Sequence, residues 1–239
     1  MHVLKNNIVC AFVALMLCVF AGCAGSGNGS AAGQENLAAA KNAQFAGQAQ
    51  DKQALLEQTF AGFIAGIQNG ISADDMLEFL TDTSEYWLDT LDVHARLYTE
   101  AELDTCQFFE VYAILMYRLF EREHLWEVQE DKMLNLLLSK SGMVDKLTSL
   151  QLGPMKIKND RGSVGLAKSP EVPIMLWEWD DSSWKLDLVE TMPLITKGIE
   201  SIAVKKNWSN KKLALYWVEK EYHMSYSRLD SSLFEPISF

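Results

Sequence analysis

The chain has 239 residues, with 21 Lys and Arg against 32 Asp and Glu, a net charge of −11. Phosphate backbones demand clustered cations, so nucleic acid is excluded as an expected partner. The same acidic balance predicts repulsion from anionic lipid surfaces.

At the N-terminus, Lys5 is the only charged side chain ahead of an apolar run from Ile8 to Phe20. That run is too short to cross a bilayer core, which needs about 20 residues. A short positive region, a short apolar region and small residues after it predict a signal peptide over residues 1–22. The sequence Phe20-Ala21-Gly22-Cys23 resembles the lipobox of bacterial lipoproteins, with Phe where Leu is usual. That resemblance implies a diacylglyceryl group on the Cys23 thiol, cleavage before it and acylation of the new amine. Two or more acyl chains give stable membrane anchoring. Ala24, rather than Asp, after the cysteine resembles the sorting rule for the outer membrane of Gram-negative cells, which would place the protein on its periplasmic face.

Residues 24–50 are nearly all Ala, Gly, Ser, Asn and Gln, a composition expected to form a flexible linker. As a coil, this stretch would span about 29 Å. The Ala-rich part, Glu35 to Gln50, leaves a helix open as the alternative. A single α+β domain is then expected over 51–225, with a tail over 226–239. Of the four cysteines, Cys10 and Cys18 leave with the signal peptide and Cys23 carries lipid, so Cys106 stands alone. No intramolecular disulfide framework is expected. The apolar helical surroundings of Cys106 point to a buried small hydrophobe rather than a nucleophile.

The first two-thirds of the domain read as helices. Leu56, Phe60, Phe63, Ile64 and Ile67 form one apolar stripe. Gly62 and Gly66, one turn apart, would let another backbone approach closely. Asp82 and Glu85 before Tyr86-Trp87-Leu88 mark a second helix start. Thr99-Glu-Ala-Glu102 is a capping box with Tyr98 and Leu103 at staple positions, and it predicts a helix running to about His124. Its polar residues Gln107, Glu110, Arg118 and Glu121 fall on one narrow stripe, so most of its circumference should be buried. One or two further helices are expected between Asp131 and Ser149.

From Leu152 the period changes to two. Met155-Lys-Ile157-Lys, turn residues Asn159 to Gly162, then Val164 and Leu166 predict one hairpin. Ile174 to Trp179, the turn Asp180–Ser183 and Trp184 to Glu190 predict a second. Pairing Trp179 with Trp184 sets Glu178 opposite Lys185. It also places Met175, Trp177, Trp179, Trp184, Leu186 and Leu188 on the core face, with Asp187 on the other. Helix returns with Thr191 as cap and Pro193 in the first turn, ending near Asn207, and again from Ser209 to about His223.

Trp184-Lys-Leu-Asp-Leu188, preceded by an Asp/Ser turn and followed by Met192-Pro193-Leu194, is similar to the last strand and exit helix of NTF2-like domains. The likeness covers residues 172–205. It implies a cone in which N-terminal helices pack on a curved antiparallel sheet of two hairpins, with a pocket between helices and sheet and C-terminal helices beyond. Some NTF2-like proteins are isomerases or dehydratases using Asp or His inside the cone, which makes Asp187 the residue to weigh. Its position beside Lys185 favours a solvated strand carboxylate.

Glu121-x-x-His124 is half of a di-metal motif without its second half, and Glu219-x-x-x-His223 has no companion ligand, so no metal is expected. No nucleophile elbow, zinc-peptidase, redox-cysteine, phosphate-loop or dinucleotide motif occurs in the folded part, and no cofactor is expected. Phe109, Tyr112, Tyr117, Trp177 and Trp179 could line an apolar pocket or could be plain core. The leading expectation is a lipid-anchored, non-catalytic envelope domain that binds a partner protein or a small apolar ligand. An NTF2-like isomerase or dehydratase and a structural envelope scaffold are the alternatives.

Overall fold

The computed structural model describes residues 37–70, 72–127, 131–137, 151–222 and 231–237, the side chains of 37–50 and 221–222 excepted. The signal segment, Cys23, the linker up to residue 36, most of the stretch from Asp131 to Ser149 where one or two helices are expected, and part of the tail lie outside those residues.

Helix α1 (Leu37–Asn69) begins inside the Ala-rich stretch. It ends at Gly70, whose φ of +73° is a backbone state glycine adopts without strain. A short α2 (Ala73–Leu77) starts where the Ser72 hydroxyl accepts the Asp75 N–H. Helix α3 (Asp82–Leu97) is capped by Thr81, whose hydroxyl accepts the Ser84 N–H at 3.2 Å. Leu88, Leu91 and Ala95, spaced three and four apart, face the core.

The long helix expected from Thr99 is two helices. Glu102 accepts the Thr99 N–H at 2.7 Å and so caps only α4 (Glu100–Leu103). The Thr105 hydroxyl and the Cys106 thiol then both donate to the Glu102 carbonyl, taking an acceptor the helix would have used. A second reciprocal cap follows at once: Glu110 accepts the Gln107 N–H at 2.9 Å and launches α5 (Phe108–Arg122). Helix α5 is enclosed on nearly all sides, with every residue from Ala113 to Phe120 buried. Arg118 is among them, only 3 % exposed, so the solvated polar stripe expected there is interrupted at its centre. A single turn, α6 (Lys132–Asn135), covers part of this assembly.

Strands β1 (Lys156–Lys158), β2 (Arg161–Leu166), β3 (Ser169–Asp180) and β4 (Ser183–Leu186) form an antiparallel sheet in sequence order. The two expected hairpins are thus one continuous meander, because Leu166 pairs with Ser169 across a tight turn. Asn159 and Asp181 take positive φ at the other two turns, a state that Asn and Asp tolerate better than most residues. The register holds Trp179 opposite Trp184 and Glu178 opposite Lys185. Met175, Trp177, Trp184 and Leu186 are buried on the core face, and Trp179 is half-buried. The molecule is α+β, with helices packed on an open four-stranded sheet.

Helix α1 lies against that sheet. A Cβ on Gly162 would stand 2.7 Å from Leu56 Cδ2 and 3.2 Å from the Trp184 ring. The glycine is therefore what lets the helix settle so close. Phe63 meets the Trp177 ring edge-on, with centroids 5.7 Å apart, an arrangement that suits the ring quadrupoles. The Trp184 indole N–H donates to the Lys52 carbonyl at 2.9 Å. Gly62, by contrast, meets only the Phe79 ring at ordinary contact distance, so the backbone approach expected there does not occur.

The free edge of β4 is covered by the α2–α3 connection. Leu80 pairs in parallel with Leu186; the Leu186 N–H donates to Phe79 and the Thr81 N–H to Leu186. Buried Ser84 then accepts the Leu188 N–H at 2.9 Å, tying α3 to the start of α7 (Leu188–Lys206).

Asp187 caps α7: its carboxylate accepts the Glu190 N–H at 2.9 Å. The strand stops at Leu186, and Asp187 is 7 % exposed, so it is not the solvated strand carboxylate that alternation predicts. Thr191 lies inside the helix and accepts the Leu176 N–H, and Pro193 sits past the first turn rather than in it. Asn207, with φ of +51°, ends α7. Ser209 accepts the Lys212 N–H at the start of α8 (Asn210–Tyr222), which packs on α5.

Candidate functional site

The five aromatic residues singled out as pocket lining all belong to one hydrophobic core or pack against it, each ring with its own neighbours. Phe109 stacks on Trp87 and Tyr112 on Phe108, while Tyr117 leans on Trp126. Trp177 is held between Phe60 and Phe63. Trp179 packs edge-on against Trp184, with the Lys52 ammonium 4.6 Å from the Trp179 ring centroid. Phe109 and Tyr117 are buried in the helical layer and Trp177 in the sheet-facing layer, so these rings build core.

One buried titratable group holds several elements together. That group is Arg118. Its guanidinium donates to the carbonyls of Ala95 (2.7 Å), His94, Tyr98 and Leu233 (3.1 Å). These oxygens are the C-terminal carbonyls of α3, the chain just past it, and the 3-10 turn Ser231–Phe234. A helix C-terminus carries partial negative charge and unpaired acceptors, which a forked cation satisfies. Burial lowers the Arg118 pKa to about 10, an effect Glu235 partly offsets.

His94 stacks on Tyr98 with centroids 3.8 Å apart, and its Nδ1 is buried. Burial holds its pKa below the ordinary value, against the opposing pull of Glu110 and Glu102. Burial also raises the Cys106 thiol to about 11, with Glu110 adding to the effect. A thiol that resists ionisation is a poor nucleophile. Asp187 is occupied by its cap and lies 4.0 Å from Arg161, which also pairs with Glu190.

Glu121, from the half di-metal motif, pairs with Lys132, and His124 is exposed at the end of α5. His223 lies outside the described residues. Among the described residues, no group of three or more His, Cys, Asp or Glu stands close enough together to hold a metal ion. No described helix is long and apolar enough to cross a membrane.

A groove of about 440 Å³ opens where α5 begins and α7 turns into α8. Gln107, Phe108, Glu200, Val204, Trp208 and Asn210 form much of its wall. Asn210 is fixed by donating its side-chain amide to the Cys106 carbonyl at 3.0 Å. The Trp208 ring beside it carries two ammonium groups, Lys206 at 4.4 Å and Lys212 at 5.0 Å from its centroid. Both are within the range at which a ring face attracts a cation.

Sequence reasoning missed both this groove and the Arg118 cradle. The cradle had one signal, a lone arginine within an otherwise apolar helical run. The groove had none, because it depends on how α7 and α8 meet α5. Compared with known proteins, the chain matches no family model, no curated protein and no solved structure.

Proposed function

We propose that this chain is an exported lipoprotein held to an envelope membrane through lipid on Cys23, and that its folded domain binds rather than catalyses. The observation that carries the first half is Phe20-Ala21-Gly22-Cys23 at the end of the short apolar run that starts at Ile8. Ala24 extends the proposal to the periplasmic face of an outer membrane in a Gram-negative cell.

For the second half, support comes from what three polar side chains touch. Arg118 holds backbone carbonyls, Cys106 is pushed away from reactivity, and Asp187 caps a helix. The groove between α5 and the α7–α8 corner, with Phe108 and Trp208 in its lining, suits a partner side chain or a small apolar ligand. The NTF2-like cone is the finer fold proposed, on the passage of β4 directly into α7 at Trp184–Leu188. An isomerase or dehydratase in that cone is the second reading, and Asp187, buried at the sheet end of α7, is the acid it would use.

Growth with labelled palmitate tests the anchor. Label should enter the wild-type protein and be absent from Cys23→Ala; label that persists in the variant overturns the lipobox reading.

A further inference from the structure

The α7–α8 corner differs from the rest of this acidic molecule. Residues 201–218 hold four lysines and no acid, the longest acid-free stretch after Glu35. Lys205, Lys206 and Lys212 are exposed. Lys211 is taken up by Glu100 and Asp104, both at 2.9 Å. Lys206 and Lys212 rest instead on the face of Trp208, without a carboxylate partner among the described residues. Lys206 and Lys220 likewise flank the Tyr216 ring, at 5.6 and 5.5 Å. Beside them Val204 is 83 % exposed, an aliphatic side chain held in water one turn from the corner.

Three properties coincide here: uncompensated ammonium groups, aromatic rings that keep them at the surface, and an exposed aliphatic side chain. We infer that this corner rests on the anionic lipid surface of a membrane. Lysines supply attraction to phosphate headgroups, Trp208 and Tyr216 suit the boundary between headgroup and acyl chain, and Val204 reaches toward the apolar side. Net charge does not forbid it. The screening length is about 8 Å at physiological ionic strength, so a surface in contact responds to the charges nearest it. An acidic protein partner would also answer the lysines, and competition with soluble polyglutamate separates it from lipid. The inference goes beyond the tether and stands whether or not Cys23 carries lipid.

The full chain, reconstituted with vesicles of brominated phosphatidylcholine with or without phosphatidylglycerol, provides the test. The Trp208 signal is the difference between wild type and Trp208→Phe. It should be quenched on phosphatidylglycerol vesicles only, and 0.5 M salt or Lys206→Glu/Lys212→Glu should weaken that contact at least tenfold. Lys206→Gln/Lys212→Gln, checked by its thermal melt, guards against a folding effect of charge reversal. Quenching equal on neutral vesicles, or unchanged by either double variant, overturns the inference. Displacement by soluble polyglutamate at equal charge overturns it in favour of an acidic protein. The Cys23→Ala chain separates the two membrane readings. Loss of attachment to neutral vesicles reports on the lipid, and retained quenching on anionic vesicles reports on the corner.

Discussion

Arg118 aims its Nε–H at the carbonyl of Ala95, 2.7 Å away, so a cation from the middle of α5 closes the C-terminal end of α3. The same guanidinium reaches Leu233, a residue 115 positions later in the chain. One side chain therefore fastens three segments, and it does so without a buried carboxylate beside it among the described residues.

Replacing Arg118 with Met removes the donors while filling most of the volume. Several buried carbonyls then lose their partner at about 1–3 kcal/mol each. We expect Arg118→Met to cost about 3 kcal/mol or more, read from urea denaturation midpoints, and to open residues 231–237 to protease. Arg118→Lys keeps the charge but not the fork and should fall between the two. A Met variant as stable as wild type would mean the cradle contributes nothing.

His94 gives the domain a pH dependence of defined sign. Its folded pKa lies below the ordinary 6.5 because burial penalises the charged ring. The unfolded chain accepts the proton first as pH falls, so it binds more protons within that window. The His94 contribution is therefore complete above pH 6.5 and declines below it, levelling once the folded ring also protonates. Denaturation midpoints at pH 7.5 and 5.5 should differ more for wild type than for His94→Gln. Proton NMR of the His94 ring should titrate below 6.5; titration above that value would reverse the sign.

Asp187 separates the binding reading from the enzymatic one. As a cap it needs only an oxygen that accepts the Glu190 N–H. Asp187→Asn should then keep nearly all stability, while Asp187→Ala should lose about 1 kcal/mol. A change in Asp187→Asn that appears only in ligand turnover, with unfolding unaltered, would favour the isomerase or dehydratase.

Period-two alternation is enough to read the sheet register, because Trp179, Trp184, Glu178 and Lys185 constrain one another across the turn. Alternation alone does not reveal where β4 ends. Asp187 continues the pattern of the strand, yet its carboxylate is a better helix cap than strand residue, and the chain turns there. The α4–α5 break has a local signal in Gln107 and Glu110, but glutamine seldom opens a capping box and the signal is faint. Arg118 reads as part of a polar stripe since spacing reports direction around a helix, not what lies opposite. The groove at Trp208 is illegible for the same reason, being set by the meeting of α5 with the α7–α8 corner, which lies far from it in sequence.

The seam between Leu80 and Leu186 has a consequence for the order in which the molecule is made. Helices α1 to α3 leave the ribosome long before β4 and α7, yet their partners are there: Leu186 for Leu80, Trp184 for Lys52, Leu188 for Ser84. Closing such long loops is slow compared with local helix formation. The N-terminal half must therefore wait, with Leu80 and Phe63 uncovered, until the tryptophan hairpin arrives. A chain cut short before Trp184 would never bury them, so premature termination should yield aggregate or protease substrate rather than a smaller folded protein.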